Sequence, residues 1–148
     1  MTVYRITHAA HAHQLIASGN PARWNSRDVK VIYTSQSLSL ACLENIVHRR
    51  AHGLDANFKA LHIEIPDSLY ISFLSLKKLP ADWQQFDSMR ATQKIGNEWV
   101  RANQSCILQV PSVIIPDDYN FILNVNHPDF HLIKIKKSEP FNFDKRLR

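Results

Sequence analysis

The chain has 148 residues, 45% of them hydrophobic and 21% charged, with a formal net charge of +5. This is the material of one ordinary domain with a real core; it excludes a disordered chain and leaves little room for a second domain. No run approaches the roughly 20 apolar residues of a membrane helix, no secretory leader is read at the N-terminus, and Cys42 and Cys106 lack ligand or disulfide-framework spacing, so a cytoplasmic protein is expected.

In chain order, Thr2 to Ile6 reads as a short strand. HAAHAHQLIASGN then has helical character, ending at Ser18-Gly19-Asn20. Pro21 to Asp28 is a polar loop, and the β-branched run Val29 to Thr34 is a strand. Ser35 or Ser37 caps a helix running to about His52 and closed by Gly53, with Leu40, Leu43 and Val47 as its expected buried stripe. Phe58 to Ile65 alternates as a strand and stops at Pro66-Asp67; Leu69 to Leu74 is another. Asp87 to Gln104 is a helix weakened by Gly96, and Cys106 to Val110, Phe121 to Val125 and Phe130 to Lys136 are later strands. The intermixed elements lack a βαβ rhythm, so the class is α+β, a single domain over 1–148 with a mixed or antiparallel sheet.

Three glycines, Gly19, Gly53 and Gly96, are too few and too scattered for a Rossmann fingerprint or a P-loop. Any dinucleotide here must be held by side chains. Of eight histidines, His48 and His52 have helical i, i+4 spacing, but no third ligand lies nearby in sequence and no metal is expected. The positive charge suits a phosphate-bearing ligand, nucleic acid or an acidic protein. Lys134, Lys136, Lys137, Lys145, Arg146 and Arg148 support a nucleic-acid-binding reading, yet Ile133 and Ile135 alternate with the first lysines as on a half-buried strand, and no recognition motif accompanies them.

Several segments carry chemistry: Arg23-Trp24-Asn25, Tyr33 in VIYTS, Glu44 in LENIVH, GNEWV, Ser112 in VPSVIIP, Asn126-His127 in NVNHPDF, and the closing FNFDKRL. Taken singly, a loop arginine is a solvated charge, a strand tyrosine is core, a helical glutamate faces water, and a serine after proline makes a turn. Together and in this order they resemble the RES-domain family over nearly the whole chain, from Tyr4-Arg5 to Arg146-Leu147. One departure is Asn20-Pro21-Ala22, where that family commonly has glycines; it bears on the conformation of the loop carrying Arg23.

The resemblance implies an ADP-ribosyltransferase-like fold, with a split mixed sheet, flanking helices and an NAD cleft. It further implies a toxin that degrades NAD by hydrolysis or phosphorolysis, or alternatively transfers ADP-ribose to protein. NAD is then the substrate, with no resident cofactor. The implied partner is a cognate helix-turn-helix antitoxin of the Xre type, through which any DNA would be met, with no membrane contact and room for a homo-oligomer in the complex. Motif matching makes Arg23, Tyr33, Glu44 and Ser112 the catalytic candidates, with Arg5, Asn126 and His127 as further NAD-binding candidates.

The chemistry fits those residue types. Nicotinamide leaves NAD as a neutral base from an already cationic state, so no acid has to protonate it; positive charge shifts to the ribose. One carboxylate beside the sugar suffices to favour that cation, and Glu44 is the candidate. Arginine forks suit the two phosphates, the Tyr33 ring offers a face for nicotinamide, and Ser112 is expected to hydrogen-bond ribose or carboxamide without acting as a nucleophile.

Overall fold

The computed structural model describes residues 1–49, 53–54 and 56–147. In chain order the elements are β1 (Thr2–His8), β2 (Val31–Ser35), α1 (Leu38–Arg49), β3 (Phe58–Glu64), β4 (Ile71–Phe73), α2 (Met89–Ala102), β5 (Ile107–Pro111), β6 (Tyr119–Asn124) and β7 (Lys134–Phe141), with short 3-10 turns between them. The strands form one sheet in the order β4-β5-β6-β2-β1-β3-β7. Only β4 and β5 run parallel; the other pairs are antiparallel. The fold class read from the sequence, α+β with a split mixed sheet, is the one observed. The split has a definite place: β1 and β2 share a single register pair, Tyr4 with Ser35, whereas β1 pairs with β3 along its whole length. A four-strand half and a three-strand half therefore meet at one point.

Strand alternation sorts the core. Val3, Ile32, Leu61, Ile63, Ile107 and Leu123 cluster on one face, covered by Leu15, Ala17, Val125 and Phe130 from irregular segments. On the other face Ile6, Phe58 and Ala60 pack under Ala41 of α1, and Val31, Leu108, Val110 and Ile122 pack under α2 with Trp24 and Trp83. Both helices thus lie on the same side of the sheet. Each such fully buried aliphatic or aromatic side chain contributes about 1.5–3 kcal/mol relative to exposure.

Three expectations are corrected and a fourth is extended. The segment after β1 forms only a 3-10 turn at Ala9–His11 and then runs without helix; beyond the buried Ala12, the residues that pack on the core are Leu15 and Ala17, two apart, the period of an extended chain. In α1 the buried residues are Leu40 and Ala41, while Leu43 and Val47 are exposed. The helix is rotated from the expected stripe, and Glu44, one turn beyond Leu40, moves to the inner side. Phe130 begins no strand: His127 caps a 3-10 helix at Pro128–Leu132, whose Pro128 sits in the first turn, and β7 follows. Gly96 leaves α2 unbroken from Met89 to Ala102 and has a further role. It is the point where α2 touches the loop backbone at Trp24, and a Cβ there would stand 1.7 Å from the Trp24 carbonyl oxygen. The end of α1 near His52 lies outside the described residues, and with it the His48–His52 pair.

Candidate active site

Glu44 projects from α1 toward the sheet, and its Oε1 accepts from two donors: Ser112 Oγ at 3.1 Å and Asn120 Nδ2 at 2.7 Å. Ser112 directly follows β5 and is fully buried; Asn120 lies on β6 beside β2. The Ser112 hydroxyl also accepts from the backbone N–H groups of Ile114 and Ile115, at 3.1 and 3.2 Å. Those two bonds fill its lone pairs, so its single proton is directed to Glu44. Asn120 Oδ1 in turn accepts from Ser35 Oγ at 2.8 Å. Among the described residues, the second carboxylate oxygen of Glu44, Oε2, has only the exposed His48 ring 3.7 Å away.

Two residues from Ser35, and on the same face of β2, lies Tyr33. Its hydroxyl donates to Asn25 Oδ1 at 2.6 Å and accepts from the Trp24 N–H at 3.0 Å. Burial pushes the Tyr33 phenol well above its ordinary range, against smaller opposing effects of the Trp24 N–H and the nearby Arg23 charge. Asn25, itself buried, spends its amide on the carbonyls of Asn20, Ser26 and Val29. It therefore ties the loop that follows Asn20-Pro21-Ala22 together, and Ala22 pairs back onto Asn25 as an isolated bridge. The loop is clamped to α2 by Thr92 Oγ1 and Gln93 Nε2, which donate to the carbonyls of Arg23 and Ala22, and by paired bonds between Ser26 and Asn97.

Arg23 points from this loop to the segment before α2. Its guanidinium donates to the carbonyls of Trp83, Gln84 and Gln85 at 3.0–3.2 Å. Gln84 Nε2 then reaches the carbonyl of Val113, next to Ser112. Residues 83–85 thus bridge the Arg23 loop and the Ser112 turn. Arg5 sits on β1 just past the single β1–β2 pair and crosses the gap to donate to the Tyr33 carbonyl at 3.2 Å. Its alternation places it with Leu61, on the face opposite the helices, so it meets the Tyr33 strand but not Glu44. Burial lowers both guanidinium pKa values, that of Arg23 against an opposing effect of Tyr33. Among the described residues neither arginine has a carboxylate within ion-pair distance.

Asn126 and His127 are not brought to this cluster. They follow the far end of β6, roughly 13 Å of strand beyond Asn120 at about 3.3 Å per residue. The Asn126 N–H donates to Asn124 Oδ1, and His127 Nδ1 accepts from the Asp129 N–H. Two residues given no site role from the sequence, Asn25 of the Arg23-Trp24-Asn25 segment and Asn120, hold the cluster together. Two surface hollows, one of about 250 Å³ bordered by Pro111 and Tyr119 and one of about 390 Å³ along α2 between Ser26 and Arg101, are lined by none of Arg5, Arg23, Tyr33, Glu44 and Ser112. No group of three or more His, Cys, Asp or Glu side chains suited to a metal ion occurs among the described residues.

Comparison with known proteins bears on the family and the fold. The sequence profile described as the RES domain matches residues 2–144. A "Toxin Res" of Photorhabdus laumondii is 36% identical across 99% of this chain and 97% of its own length. A "Prs ADP-ribosylating toxin" of a Sphingobium species is 35% identical across 84% of this chain and 79% of its own length. Among solved structures, a chain in the M. tuberculosis MbcT–MbcA toxin–antitoxin complex superposes with a TM-score of 0.79 over 95% of this chain and 84% of that one; at 19% identity this is a likeness of fold.

Proposed function

The chain belongs to the RES domain family, and from that premise we propose that it is the toxin of a toxin–antitoxin pair and acts by breaking the nicotinamide–ribose bond of NAD. The observation that carries this reading is one clamped carboxylate, Glu44, linked through Ser112, Val113 and Gln84 to the partly desolvated Arg23 guanidinium, which has no acidic partner among the described residues. A desolvated cation without a counter-charge is unfavourable until an anion arrives. The Arg23 bonds go to neutral carbonyls, so its charge stays available to a phosphate that joins or displaces them. Arg5, at the mouth of the sheet split, offers a second cation on the other side of Tyr33.

The chemistry follows from where charge moves. As the C1′–N bond lengthens, its electron pair goes to nicotinamide, which leaves neutral, and the ribose becomes oxocarbenium-like. Glu44 Oε2 is the oxygen left to face that cation, and a carboxylate already fixed in place gives more in the transition state than in the ground state. Water or phosphate then attacks C1′; with water, the surplus proton passes to solvent. Tyr33 keeps a neutral hydroxyl locked between Trp24 and Asn25, so its ring is fixed for stacking. Asn126 and His127 take no part in this reading.

The test is nicotinamide release by the purified chain. Glu44→Gln keeps NAD binding and loses turnover by about 10²-fold or more, in the range seen when a preorganised electrostatic group is removed. Near-normal turnover in that variant removes Glu44 from catalysis. Co-expression with a small helix-turn-helix protein from the adjacent reading frame is expected to abolish toxicity. The name of the Sphingobium relative favours a second reading, ADP-ribosyl transfer to a protein by the same residues. NAD labelled in its ADP-ribose half separates the two: free labelled ADP-ribose or its phosphate marks degradation, labelled polypeptide marks transfer.

A further inference from the structure

The bonds around Glu44 leave little freedom in who donates to whom. An ionised carboxylate only accepts, so the side of Asn120 facing Glu44 must be its NH₂ group, and its Oδ1 must face Ser35. Ser35 is buried on β2, directly opposite Asn120 in the β2–β6 register, and its hydroxyl donates into Oδ1. Ser112 is constrained as tightly, because two backbone N–H groups occupy its acceptor sites. Both donors converge on the same atom, Oε1. Oε2 receives neither.

Building on the NAD-cleaving reading, we propose that Asn120, oriented by Ser35, is a positioning residue that together with Ser112 fixes Glu44 so that Oε2 alone is presented to the ribose. Ser112 then serves Glu44 and has no donor left for substrate, in place of the ribose or carboxamide contact expected from the sequence. The relay runs Ser35 to Asn120 to Glu44 and spans two adjacent strands and a helix. It makes the orientation of the carboxylate a property of the sheet register, which a lone helical glutamate does not have. A glutamate released from these bonds keeps its charge but samples several rotamers, and only some place an oxygen at the sugar.

The experiment compares the wild type with Asn120→Leu and Ser35→Ala. With Asn120→Leu, kcat for nicotinamide release is expected to fall about 10- to 100-fold, the loss of one hydrogen bond to a charged group, while the NAD KM stays within about twofold. Ser35→Ala, which leaves Asn120 in place but free to turn, gives a smaller fall of the same kind and serves if Asn120→Leu does not fold. In a Glu44→Gln background, adding either change alters the residual rate by less than about twofold, because both act through Glu44. A KM that rises in step with the loss of kcat, or full additivity with Glu44→Gln, overturns the proposal. An activity-free reading keeps it separate from the NAD reading: the Asn120 side-chain NH₂ signal in a ¹⁵N–¹H spectrum shifts on Glu44→Ala and on Ser35→Ala. If that signal shifts while the wild type leaves NAD untouched, the positioning stands and the proposed reaction fails; an unmoved signal overturns the positioning itself.

Discussion

Gly96→Ala tests whether the loop bearing Arg23 is held by direct backbone contact with α2. The new Cβ would lie 1.7 Å from the Trp24 carbonyl oxygen, 2.8 Å from its carbon and 3.2 Å from its Cα, where ordinary contact begins near 3.4 Å. The obstacle is backbone, so no side chain can swing aside, and helix and loop must part by well over an ångström. Two effects oppose each other. Alanine is the better helix residue by about 1 kcal/mol, whereas overpacking costs about 1–3 kcal/mol, and a clash this deep belongs at the upper end. The parting also strains the bonds of Thr92, Gln93 and Asn97 to the loop. A net loss of about 2 kcal/mol follows, and at about 2–4 °C per kcal/mol for a domain of this size the melting temperature drops by about 4–8 °C. Thermal unfolding followed by circular dichroism reads the shift, and nicotinamide release at a temperature where both proteins are folded reads the displacement of Arg23. A melting temperature that stays level or rises would mean the glycine is merely tolerated, and the close-contact account would be wrong.

Other consequences are more local. Asn25→Ala strips a buried amide from three carbonyls and leaves the Tyr33 hydroxyl without its acceptor; a loss of at least about 2 kcal/mol is expected in urea unfolding, and a loss under about 0.5 kcal/mol would rule out the hub role. Tyr33 is held above its ordinary pKa chiefly by burial, so the folded chain keeps this proton at pH values where the unfolded chain gives it up. The associated stability is intact below about pH 10, the unfolded tyrosine value, and is lost as pH rises beyond it. Tyr33→Phe is therefore less stable than the wild type at pH 8 but falls less steeply between pH 10 and 11.5; parallel curves would contradict the assignment. Cys106 is buried, with its thiol pushed up to about 11 by that burial first and by Asp129 second, whereas Cys42 is only half-buried. Maleimide at pH 8 should label Cys42 first, by mass spectrometry of peptides, and Cys106 only on unfolding.

The parts of this fold that depend on local pattern were legible in the sequence, and the parts that depend on register were not. β2 was found because VIYT is β-branched, and the centre of α2 because its helical signal survives one glycine. The packing role of the same glycine is not legible, since a residue type reports conformational cost but not the backbone 72 positions earlier that needs the space. Leu43 and Val47 mislead for a related reason: α1 leaves these two apolar residues in solvent while its rotation brings the Glu44 carboxylate inward. Glu44 and Ser112 could be selected by motif. Asn120 could not, because its importance rests on the pairing of Ser35 with Asn120 across β2 and β6, a fact about two strands 85 residues apart. A strand amide on a helix-covered face, two residues from a buried isoleucine, was the one available signal. Had the register slipped by one residue, Asn120 would face the other side of the sheet and Glu44 would keep only Ser112. The site is thus specified twice, once by side-chain chemistry and once by strand pairing, and substitutions that disturb β2–β6 pairing far from Glu44 are expected to weaken the site before they unfold the chain.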